Sequence, residues 1–101
     1  MDTDNLIKHA RARFDHAAAR RVLKEKYEAK MVFAHAGGMW RAGPELQTVL
    51  LSCPDEQAVI LDLYDTPVQV NTRELFAQSQ FRWQEQMTAW LVEYEELSKN
   101  R

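Results

Sequence analysis

The chain has 101 residues, 46% hydrophobic and 28% charged, with a formal net charge of -2; that length allows one domain with a modest core, and that composition excludes disorder throughout. No apolar run approaches the roughly 20 residues that cross a bilayer, and Met1-Asp2-Thr3-Asp4 is acidic where a signal peptide begins basic, so a cytoplasmic product without a membrane partner is expected. A single cysteine, Cys53, excludes an internal disulfide and a thiolate metal cluster.

From Asp4 to about Ala29 there is no Pro or Gly, and Ile7, Ala10, Phe14, Ala18 and Val22 recur at the spacing of one helix face. This predicts a long amphipathic helix capped by Thr3 or Asp4, its stripe widened by Leu23 and Tyr27. Met31 to Ala36, Gly37-Gly38 and Met39-Trp40 read as strand, turn and strand, with tandem glycines supplying the positive φ angles of a tight hairpin. Gly43-Pro44-Glu45 starts a short helix with Leu46, Val49 and Leu50 facing inward.

Ser52-Cys53-Pro54-Asp55 breaks that helix, and the apolar run Ala58 to Tyr64 is the candidate central strand. Asp65-Thr66-Pro67 turns a second hairpin into Val68, Gln69 and Val70. Asn71 caps a last helix that runs to about Lys99, with Glu74 placed to complete a capping box. The expected fold is α+β: two long helices packed on a small, mostly antiparallel four-stranded sheet, in the order helix, hairpin, short helix, hairpin, helix.

Little in this pattern points to catalysis. His9 and His16 stand seven apart, too far for chelation from one helix face, and Ala12 and Arg13 between them add no ligand; no metal or cofactor is expected. His35 has Asp62 or Asp65 as possible acid–base partners across the sheet, and Cys53 lies near a loop, but no nucleophile motif accompanies them. Gly37-Gly38 runs into strand residues, which makes it a turn rather than a phosphate cradle.

Charge is divided along the chain. Through Arg41 nine Lys or Arg face five Asp or Glu, and from Ala42 onward four face ten. Either the basic first helix neutralises the acidic last one, or it leaves a basic face for an acidic partner. The candidates for that face are Arg13, Arg20, Arg21 and Lys24, interrupted by Asp15, Glu25 and Glu28, and the sequence pI of 5.9 argues against nucleic acid as the main partner.

The last helix carries Phe76 and then Trp83, Met87, Trp90, Tyr94 and Leu97 at steps of four, three, four and three. A helix of about 27 residues is roughly 40 Å long, against less than about 20 Å for a short strand, so its far end is expected to overhang. Trp83, Met87, Trp90, Tyr94 and Leu97 are the candidate contact residues, packing on the first helix or on a second chain.

The segments Gly38-Met39-Trp40-Arg41-Ala42-Gly43-Pro44-Glu45-Leu46 and Leu61-Asp62-Leu63-Tyr64-Asp65-Thr66-Pro67-Val68-Gln69-Val70-Asn71 resemble small accessory and structural proteins of contractile-tailed bacteriophages. The resemblance implies a viral accessory or assembly protein in a bacterial host or its virion. The expected function is a non-enzymatic protein-binding module that works on a protein partner or by self-association; the alternative is a small regulator that binds nucleic acid or the host transcription machinery through the basic first helix.

Overall fold

The computed structural model describes residues 3–99, the side chains of 3, 4 and 9–14 excepted. The expected Thr3 or Asp4 cap and the stripe positions Ala10 and Phe14 lie outside the described residues. In chain order the elements are α1 (Thr3–Lys30), β1 (Val32–His35), β2 (Gly38–Arg41), α2 (Pro44–Ser52), β3 (Gln57–Leu61), β4 (Pro67–Asn71) and α3 (Thr72–Lys99). The fold is α+β, but its strands do not form one sheet: β1–β2 and β3–β4 are separate antiparallel hairpins. They meet at one corner, where the Met39 amide donates to Asp62 Oδ2 at 3.1 Å and the Met39 carbonyl accepts from the Leu63 amide at 2.8 Å.

The first turn uses Ala36 and Gly37, at φ 53° and 82°, rather than the expected Gly37-Gly38. Gly38 is already the first residue of β2, paired with His35. Its job is different: a Cβ there would stand 2.9 Å from the Trp40 ring and 3.2 Å from Val68. Trp40 folds back along its own strand, is buried, and donates Nε1–H to the His35 carbonyl at 2.8 Å. The glycine pair thus serves one turn position and one ring-packing position, which a linear reading cannot separate.

Around Trp40 the core gathers Met31, Phe33, Ala42, Leu50, Val70 and Leu75, with Leu46, Phe76, Trp83 and Met87 packed against it. Gly43, at φ 138°, lets α2 begin close against α3: a Cβ would meet Trp83 at 3.1 Å, and its amide donates to the buried Ser79 Oγ at 3.4 Å. Leu50 is the buried residue of α2 and Leu46 is half-buried, whereas Val49 is exposed, contrary to expectation.

The expected central strand is instead a strand of an isolated hairpin. β3 stops at Leu61, and Val59 and Leu61 are 67% and 60% exposed, because only its alternate face, Ala58 and Ile60, turns toward the body. Residues 62–66 form the turn: Asp62 Oδ1 accepts from the Tyr64 and Thr66 amides at 2.9 and 3.0 Å, and Asp65 adopts φ 62°. The amides of Thr66, Met39 and Tyr64 hold the Asp62 carboxyl below its ordinary range. Asn71 caps α3 as expected, its Oδ1 accepting from the Glu74 amide at 3.0 Å.

The molecule is elongated, with extents of 66 × 24 × 21 Å and a radius of gyration of 19.4 Å, where a globule of this length would have about 13 Å. Helix contact explains it. Tyr27, near the C-terminal end of α1, stacks on Trp90, about two-thirds of the way along α3. Beyond that contact α1 continues for about 36 Å toward its N-terminus, while α3 continues for only about 14 Å toward its C-terminus. α1 therefore extends past the end of α3 by about 22 Å. Its exposed stripe agrees: Ile7 and Val22 are 45% and 63% exposed, whereas Leu23 and Tyr27 are the buried residues among the described side chains of α1.

The different roles of the turn residues predict a contrast. Gly38→Ala should lower stability by about 1–3 kcal/mol, as overpacking does, whereas Ala36→Gly relieves a left-handed alanine and should raise it by about 1 kcal/mol. Urea midpoints of the two variants moving in the same direction would contradict the assignment of the turn.

Candidate functional site

The helices α1 and α3 are clasped at one place. Tyr27 lies parallel to Trp90, with ring centroids 5.9 Å apart and an interplanar angle of 7°. The Tyr27 hydroxyl donates to Glu93 Oε1, and Lys26 Nζ donates to the same oxygen at 2.7 Å. Lys26 and Lys30 also stand 5.3 and 5.2 Å from the centroid of the Tyr27 ring, within cation–π range. Donation from Lys26 and then Tyr27 holds the Glu93 carboxyl below its ordinary range, and the bond to Glu93 raises both the Lys26 ammonium and the Tyr27 hydroxyl above theirs.

Below the clasp, where α1 ends, a cleft of about 890 Å³ opens between the end of α1, the first hairpin, the start of α2 and α3. Met31, Ala42, Trp83, Met87 and Trp90 supply its apolar surface. Glu25 and Glu28 from α1 and Glu45 from the first turn of α2 stand around it, against a single cation, Arg41. The cleft is open to solvent and mainly apolar, with an acidic rim. A shallower depression of about 510 Å³ lies between Trp40, Leu46, Val49 and the β3 end of the second hairpin.

Of the seam residues, Trp83 and Met87 are half-buried, pack on the core and line the cleft. Trp90 shows the cleft one part of its surface and Tyr27 another. Tyr94 is exposed and Leu97 half-buried farther along α3. Sequence reading did not find the three rim glutamates. Glu25 and Glu28 read as interruptions of the basic face and as charge partners of Arg21 and Lys24 along the helix, and nothing in the linear order brings Glu45 beside them. The Glu93 clasp was equally hidden, since Tyr27 registered only as apolar area.

On the basic face Arg20 and Arg21 are exposed, Lys24 pairs with Glu28 at 3.7 Å, and Arg13 lies outside the described side chains, as does His9. The structure does not join His35 to Asp62: both Asp62 oxygens accept from backbone amides. Cys53 Sγ donates to the Val49 carbonyl at 3.4 Å. Among the described residues no group of three His, Cys, Asp or Glu is placed to hold a metal ion, and no helix is long and apolar enough to cross a membrane. In comparisons with known proteins, no family model, no curated protein and no solved structure matches this chain.

The clasp sets a pH dependence. Glu93 titrates lower folded than unfolded, so its contribution is present above the ordinary carboxyl range, about pH 4, and is lost as pH falls through the folded value. Tyr27 and Lys26 titrate higher when folded, so theirs is present at neutral pH and lost as pH rises beyond about 10. Glu93→Gln should therefore flatten both limbs of a plot of urea midpoint against pH, leaving part of the acid limb to Asp62. Superimposable wild-type and variant curves would remove the clasp from the account.

Proposed function

We propose that this chain is a non-enzymatic protein-binding module whose contact surface is the acid-rimmed apolar cleft between α1, the first hairpin, α2 and α3. The observation that carries this reading is the placement of Trp83, Met87 and Trp90 along a solvent-open cleft while Trp83 and Met87 pack on the core and Trp90 stacks on Tyr27. Aromatic groups held rigid by packing and still accessible are the anchors on which interfaces concentrate their energy. Three carboxylates around an apolar floor favour a partner segment that is apolar along one face and basic at its edges. The resemblance of the turn segments to contractile-tailed phage proteins makes an assembly complex or virion in a bacterial host the setting we assign to it.

A second reading, a regulator that binds nucleic acid or the host transcription machinery through the first helix, draws on the exposure of Arg20 and Arg21. It ranks lower because Lys24 is engaged by Glu28 and because Asp15 and Glu25 are exposed along the same helix.

Ala29 is exposed and lines the cleft, so Ala29→Trp fills the mouth without disturbing the core. A partner captured on the immobilised wild type and then purified should bind Ala29→Trp at least tenfold more weakly, with the urea midpoint unchanged. Equal binding by both would overturn the cleft as the contact surface. Salt-dependent retention on heparin that disappears in Arg20→Glu/Arg21→Glu would promote the second reading.

A further inference from the structure

The overhanging half of α1 matches the chemistry of the cleft. Leu6 and Ile7 are exposed there, 55% and 45%, about 30 Å along α1 from the Tyr27–Trp90 stack. Between residues 3 and 21 the sequence has Lys8, Arg11, Arg13, Arg20 and Arg21 against Asp4 and Asp15. This segment is apolar and basic; the cleft is apolar with Glu25, Glu28 and Glu45 around it, Arg41 the one cation among its lining residues and Lys24 paired with Glu28 at 3.7 Å.

Both halves of this match lie on one helix. Leu6 and Lys8 are near one end of α1, and the rim residues Glu25 and Glu28 are near the other, about 30 Å away at about 1.5 Å per residue. When two copies of such a helix run antiparallel about a two-fold axis, the tip of each lies beside the base of the other. Symmetry makes the same contact twice, so a modest complementarity counts double. The short reach of α3 past the clasp leaves the length of α1 that such pairing needs.

Resting on the cleft as the contact surface, we propose that its occupant is a second copy of this chain: two α1 helices pair antiparallel, and each brings its Leu6–Lys8 end to the acid-rimmed cleft of the other. Leu6 and Ile7 cover the apolar surface presented by Met87 and Trp90, and the basic tip faces the rim glutamates. The product is a closed, two-fold symmetric dimer.

The charge pattern supplies the test. Light scattering at micromolar concentration should give wild type twice the 11.8 kDa mass of one chain. Lys8→Glu/Arg11→Glu makes arm and cleft both acidic; Glu25→Lys/Glu28→Lys makes both basic. Each variant alone should be monomeric, with helical circular dichroism unchanged, and an equimolar mixture should regain the dimer mass, since each arm then meets a cleft of opposite sign. A monomeric wild type, variants that remain dimeric, a mixture that stays monomeric, or a species larger than a dimer would each overturn the proposal. If wild type is monomeric while Ala29→Trp still loses a captured partner, the cleft reading stands and the second copy does not.

Discussion

The clasp at Glu93 decides the shape of this molecule. One carboxylate oxygen accepts from both Lys26 and the Tyr27 hydroxyl, and the Tyr27 ring lies flat on Trp90. Because the clasp sits near the C-terminal end of α1 and in the last third of α3, it fixes the two helices where their remaining lengths differ greatly. Two consequences follow from that offset. The body below the clasp opens into the cleft, and about half of α1 extends past the end of α3, giving the 66 Å length.

A second constraint holds the floor of the cleft in place. Trp40 is buried over Gly38, and its indole N–H is satisfied by His35 within the same hairpin, as a buried polar handle requires. From there the core runs through Leu75 and Val70 to Trp83, which packs on Gly43 at the start of α2. Gly38 and Gly43 bring backbone close to the Trp40 and Trp83 rings. The accessible aromatic surface of the cleft is therefore rigid, so a partner would lose little entropy in ordering it.

The helix boundaries were legible in the sequence because each is written in local chemistry: the absence of Pro and Gly along α1, Pro44 at the start of α2, and Asn71 before α3. The hairpins were legible too, but not their independence, since an apolar run such as Ala58 to Tyr64 reads alike in a central strand and in a hairpin with one face turned to solvent. The first turn slipped by one residue because the two adjacent glycines answer different demands. At the site, Trp83, Met87 and Trp90 stood out by spacing and size. The rim glutamates did not, because only the packing of α2 on α3 places Glu45 at the same cleft as Glu25 and Glu28, and the Lys26–Glu93 pair spans 67 positions.

An arm that stands away from the body is the claim on which both the free cleft and the pairing of copies depend. Small-angle X-ray scattering on Lys8→Glu/Arg11→Glu, whose arm and cleft repel between copies, reads it directly. The account predicts a monomer with a radius of gyration near the 19.4 Å of the structure and a largest dimension of at least 66 Å. A radius near the roughly 13 Å of a folded globule of this length would mean that α1 folds back over the body, and would contradict it.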